Sequence, residues 1–288
     1  MKIAKAQRSE IKLKIQGLLE TLPNIQKFSN RYVVIKYGGS IIEDGVEDNI
    51  ISQVVFLKKY IGINMIIVHG GGRQVDEEIK KRGLAPSKKI DGKRYTPKNI
   101  LPILDKCFGE LNSNIVLKIR KMGCEAAGLH SRTKTIVKVK KDTSLELGYV
   151  GIITSIDTDR IKQLPQGCIP VISSLGVDKN GQLYNVNADD VASAVSVALK
   201  AAKFIVLTDV KGIKTGHGEE IFSTLTINDV EKLIKKGIVA GGMIPKLRAS
   251  VEVIKKGVEK VHIIKGTDEN SIIEEILSTE GVGTQIIK

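Results

Sequence analysis

A chain of 288 residues with 42% hydrophobic content can bury a sizeable core as one or two domains. Its formal charge of +13 admits a nucleic acid, an acidic membrane surface or an anionic substrate as partner; scattered helical pairs such as Lys58-Lys59 and Lys235-Lys236, with only 4% aromatics, read as solvated faces and argue against nucleic acid. Cys107, Cys124 and Cys168 suggest neither a disulfide scaffold nor a zinc cluster, and no stretch reads as a membrane span or a secretory apolar core, so a reducing, cytoplasmic compartment is expected.

Residues 9–22 read as an amphipathic helix. Ser9 can cap it, Ile11, Ile15, Leu18, Leu19 and Leu22 recur at helical spacing, and Pro23 is expected to end it. This helix precedes the first core strand, so it packs back on its own domain or reaches a neighbouring subunit. Residues 32–37 read as the first strand, followed by Gly38-Gly39-Ser40. A helix over 47–61 leads to a strand over 65–68, then His69-Gly70-Gly71-Gly72 and a helix over 73–83. A strand, a glycine loop and a helix, met twice, predict a parallel sheet covered by helices. Residues 85–97 are polar, with Asp91-Gly92 as a hairpin turn, and a helix follows over 98–121. Residues 124–154 predict short antiparallel strands, 169–173 a buried strand, and Asn180-Gly181 another hairpin turn. A helix over 188–201 and a strand over 204–208 open a last α/β third. It has helices near 226–236, 243–256 and 269–278 and strands near 260–264 and 284–287. The two halves are expected to divide near residues 175–200 and to face each other across the carboxyl ends of one sheet.

Several segments could carry chemistry. Lys36 ends a buried strand, where an ammonium is costly unless it meets an anion, and Gly38-Gly39 frees the backbone to approach one. Gly70-Gly71-Gly72 offers amides and a helix end to a carboxylate or phosphate, although neither GxxxxGK[ST] nor GxGxxG spacing is present there. Alone, Arg94 reads as an ordinary exposed arginine; on a flap it could clamp a carboxylate. In Asn185-Val186-Asn187-Ala188-Asp189-Asp190, Asn187 or Asp189 could simply cap the next helix. Alternatively, Asn185 and Asn187 share one side of an extended segment, and Asp189 orients lysines without taking a proton. Gly241-Gly242 followed by Lys246 in a first helical turn again describes an anion site. His69, His130, His217 and His262 lack metal-ligand spacing, and His69 reads as a packing or orienting residue beside the glycine turn.

Taken together, Lys36-Tyr37-Gly38-Gly39, Val68 to Gly72, Arg94-Tyr95-Thr96, Asn185 to Asp189, Leu207 to Gly212, Gly241 to Lys246 and Glu280 to Thr284 resemble, in order and over nearly the whole chain, the amino-acid kinase family, and within it the N-acetyl-L-glutamate kinases. The chain departs from the family's pattern at Ser40-Ile41-Ile42 and at Gly128 to Lys134. The resemblance implies a three-layer αβα sandwich around a mainly parallel sheet. It implies a helical extension over 1–30, a lobe over 31–180 for the amino-acid substrate and a lobe over 181–288 for ATP.

By the same resemblance, Lys36 stabilises the transferring phosphoryl group, Lys246 holds the nucleotide phosphates, and Asp189 organises both lysines. Arg94, Asn185 and the backbone of Gly71 and Gly72 hold N-acetyl-L-glutamate. Gly38 and Gly39 form the phosphate turn, and Thr208 and Asp209 lie where ATP binds with Mg²⁺; no protein metal site is implied. The implied reaction moves the γ-phosphate of ATP onto a carboxylate, with a related acidic amino acid such as aspartate or an aminoadipate derivative as the alternative acceptor. The resemblance also implies a homo-oligomer (a dimer, or a hexamer built as a trimer of dimers) and an arginine feedback ligand. Richness in Lys, Ile and Asn suggests an AT-rich genome; an organellar one would place the protein in a plastid stroma with a PII signalling protein as partner.

Overall fold

The β-branched runs of the sequence become the central strands of a helix-covered sheet. The computed structural model describes residues 2–38, 46–90, 93–144, 146–216, 218, 220–239, 243–279 and 281–288, with only the backbone considered for 2–7, 132 and 133. In chain order the elements are α1 (Lys2–Phe28), β1 (Tyr32–Tyr37), α2 (Val46–Lys59), β2 (Asn64–His69), α3 (Gly72–Lys81), β3 (Lys89–Ile90), β4 (Lys93–Arg94), α4 (Leu101–Lys121), β5 (Ala126–Leu129), α5 (Ser131–Lys134), β6 (Val137–Lys141), β7 (Gly151–Ile156) and α6 (Thr158–Lys162). They continue with β8 (Ile169–Ser173), β9 (Leu175–Val177), β10 (Leu183–Asn185), α7 (Ala188–Ala198), β11 (Lys203–Thr208), β12 (Thr224–Thr226), α8 (Ile227–Lys235), α9 (Met243–Lys255), β13 (Val261–Lys265), α10 (Ser271–Leu277) and β14 (Thr284–Ile287).

The main sheet runs β12-β14-β13-β11-β1-β2-β8-β5, and its pairings are parallel except for β13 with β14. Strands buried on both faces read as continuous apolar runs, as in Tyr32–Tyr37 and Lys203–Thr208. Alternate residues of β1 serve opposite layers. Val34 joins Val191 and Val195 of α7, Val230 of α8, and Leu247 and Val251 of α9. Val33, Ile35 and Tyr37 join Phe28 of α1, Ile50 and Val54 of α2, Ile115 of α4 and Ile276 of α10. Each such fully buried aliphatic side chain contributes about 1.5–3 kcal/mol. The architecture is thus the three-layer αβα sandwich expected. The N-terminal and C-terminal halves share its one sheet through β1 and β11. A smaller sheet, β10-β9-β6-β7, lies beside it.

Three expectations need correction. Ser9 does not cap the first helix but lies inside α1, which opens at Lys2. Pro23 does not end α1, which continues to Phe28. An internal proline costs about 3 kcal/mol, but the turn beyond it is tied down. Phe28 is buried, Ile25 packs against the same core, and the Asn24 amide donates to the carbonyls of Leu277 at 3.0 Å and Ser278 at 2.9 Å. The segment 124–154 is not wholly antiparallel: β5 joins the main sheet parallel to β8, and only β6 and β7 form the expected antiparallel pair. Asn180-Gly181 does turn between the antiparallel β9 and β10, with Gly181 at φ 78°. Asp91-Gly92 lies outside the described residues, and the strands flanking it, β3 and β4, pair antiparallel.

Candidate active site

Because strand side chains alternate, Lys36 emerges on the same face of β1 as Val34, the face covered by α7 and α9. Asp189 stands in the first turn of α7 and Lys246 in the first turn of α9. The three meet: Lys36 Nζ lies 3.1 Å from Asp189 Oδ1, and Lys246 Nζ lies 3.3 Å from Asp189 Oδ2. Burial works to raise the Asp189 carboxyl, but the two ammonium groups outweigh it and hold its pKa below the ordinary carboxylate value. Asp189 therefore stays ionised and holds the lysines rather than taking a proton. The capping role belongs to Asn187, whose Oδ1 accepts from Asp189 N at 2.7 Å.

The glycine turn borders this triad. Lys36 pairs in register with Val68, and Gly70 N donates to Tyr37 O at 3.2 Å. A side chain on Gly38, which has φ 146°, would meet Gly70 N at 3.1 Å, and one on Gly70 would meet the Ala188 methyl at 3.4 Å. Gly71 packs so closely on Phe108 that a Cβ would lie 2.7 Å from the ring. α3 opens at Gly72, so its first amides lack intrahelical acceptors and face the helix end as donors.

Arg94 is not the exposed residue it suggests alone; it is 8% exposed. Its Nη2 donates to Gly72 O at 3.0 Å, and its Nη1 pairs with Asp76 Oδ1. Asn185, at the end of β10, donates from Nδ2 to Thr96 Oγ1 at 3.0 Å, and that hydroxyl donates to Arg94 O at 2.9 Å. The β3–β4 hairpin is anchored behind by Lys93 Nζ on Asp142 Oδ2 at 2.9 Å. Hydrogen bonds from Ser144 and Lys93 depress the Asp142 carboxyl to about 2. Asp76, Thr96 and Asp142 escaped the sequence reading; for Thr96, its place beside Arg94 and Tyr95 was the available signal.

The remaining candidates divide. Thr208 closes β11 at the same sheet edge, two residues beyond Val206, which pairs with Lys36. Its hydroxyl donates to Val210 O at 2.9 Å and accepts from Val210 N at 3.0 Å, so it shapes its own turn. Asp209 is exposed. Gly39, Gly241 and Gly242 lie outside the described residues. Lysines, glycine-turn amides and an arginine thus converge at the carboxyl ends of parallel strands, a donor set suited to a highly charged anion beside a carboxylate.

Fold and donor set together define a phosphoryl-transfer protein: the chain belongs to the amino acid kinase family, whose sequence pattern matches residues 31–265. It is 40% identical over 275 residues to an acetylglutamate kinase of Chlorobium chlorochromatii (strain CaD3), covering 94% of this chain and 95% of that one. It is 39% identical over 287 residues to an acetylglutamate kinase of Geotalea uraniireducens (strain Rf4), covering 95% and 98%. Among solved structures, an N-acetylglutamate synthase from Neisseria gonorrhoeae complexed with coenzyme A and N-acetyl-glutamate shares the fold, with a TM-score of 0.84 at 22% identity. That match covers 95% of this chain and 63% of the synthase chain.

Proposed function

We propose that this chain is an acetylglutamate kinase, transferring the γ-phosphate of ATP to the γ-carboxylate of N-acetyl-L-glutamate in arginine biosynthesis. The observation that carries the reading is the Lys36–Asp189–Lys246 bridge beside the glycine turn. The acceptor carboxylate is already a nucleophile, so no general base is required. The demand is in-line positioning and neutralisation of charge on the phosphoryl oxygens. In this reading Lys36 serves the transferring group and Lys246 the nucleotide phosphates, with Asp189 setting their separation. Gly38, Gly39, Thr208 and Asp209 complete the ATP side. Arg94, Asn185 and the amides of Gly71 and Gly72 hold N-acetyl-L-glutamate. Mg²⁺ would accompany the phosphates and lower their charge repulsion. The test is hydroxamate trapping of the acyl phosphate from N-acetyl-L-glutamate with Mg-ATP. Faster turnover of free aspartate, free glutamate or aminoadipate would refute the substrate.

The same reading includes assembly and regulation. Ile11, Leu13, Ile15, Leu18, Leu19 and Leu22 stand exposed along α1, a surface suited to packing between subunits in a hexamer. Arginine feedback would act beside the end of α1, where Asn24, Lys203, His262 and Glu275 border a cavity. A plastid or cyanobacterial setting would add a PII protein as partner, in the stroma or cytoplasm.

A further inference from the structure

His69 is fully buried at the end of β2, and its two ring nitrogens have different partners. Nδ1 lies 2.7 Å from Gly70 O, and Nε2 lies 2.9 Å from Asn112 Nδ2. Carbonyl oxygens only accept, which fixes every proton in this set. Asn112 Nδ2 also donates to Val171 O at 2.9 Å, so the atom there is the amide nitrogen, and it donates its second hydrogen to His69 Nε2. Nε2 is then an acceptor, and Nδ1 must carry the proton that goes to Gly70 O. Burial, together with nearby His130, lowers the His69 pKa to about 4, so the ring is neutral at ordinary pH.

The consequence falls on the Gly70–Gly71 peptide. In a trans peptide the C=O and N–H point opposite ways, so pinning Gly70 O toward His69 turns the Gly71 N–H away from the ring. A peptide between two glycines flips more readily than any other, because neither residue has a Cβ to oppose it. A flipped peptide would show a carbonyl oxygen where the substrate anion needs a donor. α4 supplies both restraints, Asn112 behind the histidine and, one turn earlier, Phe108 against Gly71; the Phe108 ring also stands edge-on to His69 at 6.5 Å. A side chain on Gly128 of β5 would lie 2.3 Å from Asn112 Oδ1, so glycine there is what makes room for the amide.

We propose that Asn112 is a positioning residue: by donating to His69 Nε2 it selects the Nδ1–H tautomer that locks the Gly70–Gly71 peptide with its N–H presented to the amino-acid substrate. The assignment of that substrate rests on the function proposed above. The test replaces Asn112→Asp, which is nearly isosteric but accepts where asparagine donates. The ring proton then moves to Nε2, and Nδ1 can still donate to Gly70 O only when the imidazole is cationic. The KM for N-acetyl-L-glutamate should therefore rise about tenfold or more near pH 8 and fall back toward the wild-type value as pH drops to about 6. The KM for ATP should stay unchanged, and the wild-type KM should be flat over the same range. Asn112→Leu removes the donor without reversing it and should show a smaller, pH-independent rise. An effect equal for both substrates, identical in the Asp and Leu variants at every pH, or missing altogether overturns the proposal. So does a wild-type His69 ring protonated at Nε2 in ¹⁵N NMR, a measurement that needs neither a folded variant nor turnover. If the wild-type chain does not phosphorylate N-acetyl-L-glutamate, the substrate reading fails by itself, and the ring resonances still decide the tautomer.

Discussion

Asp189 holds two ammonium groups that would otherwise repel each other, and this shapes what each substitution should do. Lys36→Ala or Lys246→Ala should lower kcat by about 10²–10³, with a smaller effect on N-acetyl-L-glutamate binding, if each charge serves the phosphoryl oxygens as proposed. Steady-state kinetics checks this, and an unchanged kcat in Lys36→Ala removes the central assignment. Arg94→Lys should raise the KM for N-acetyl-L-glutamate roughly tenfold without changing that for ATP. A lysine cannot hold Gly72 O and Asp76 with a planar fork and still face a carboxylate. The two lysines were legible as candidates because each stands where a charge needs a reason: a buried strand end, or a helix start where a cation opposes the dipole. Asp189 was legible only as a group that could orient them, since an anion at a helix start is favourable by itself. Asp76 and Asn112 were not legible, since their partners Arg94 and His69 lie 18 and 43 residues away in the chain and share no local pattern with them.

At the scale of elements, α1 shows both the reach and the limit of periodic reading. Its apolar stripe at Ile11, Ile15, Leu18, Leu19 and Leu22 was visible from spacing, and the structure leaves it exposed: Leu18 is 62% exposed. Its continuation through Pro23 was not visible, because the restraint comes from Asn24 on the carbonyls that end α10. If α1 joins subunits, deleting residues 1–26 should reduce the mass in solution from a hexamer to a dimer. Light scattering of the intact and deleted chains decides the matter, and an unchanged mass refutes the joining role. Arginine titration of the intact enzyme should show at most weak inhibition. The Asn24 amide is spent on Leu277 and Ser278 and has little apolar area to cover an aliphatic stem. Complete insensitivity would mean that the site is lost.

For the molecule as a whole, buried titratable groups set the response to acid. His69 has a folded pKa of about 4, below its free value of 6.5, so between these the unfolded chain binds a proton that the folded chain refuses. Stability should fall as pH drops through that window, by on the order of 3 kcal/mol for this group, with His262, also lowered by burial, adding to it. Glu275 belongs to a lower window. Burial would raise it, but His262 and Lys203 hold it near 2, against 4.5 when free, so its contribution is present above 4.5 and lost as pH falls toward 2. Urea midpoints at about pH 7, 5 and 3 should therefore step down twice, and His69→Gln should shrink the first step. A flat midpoint between about pH 7 and 5 would contradict a buried neutral His69. By itself the sequence determined the layers and pointed to the sheet edge where the proposed site lies. Apolar runs and helical stripes are local, and glycines just after strands mark backbone that must approach a ligand. Only the tertiary structure decided that Lys36, Asp189 and Lys246 share one ion bridge, that Arg94 is buried on Gly72, and that Asn112 governs a proton on His69. Those facts depend on which strands become neighbours and which helix ends meet them, and a parallel sheet brings such residues together from across the whole chain.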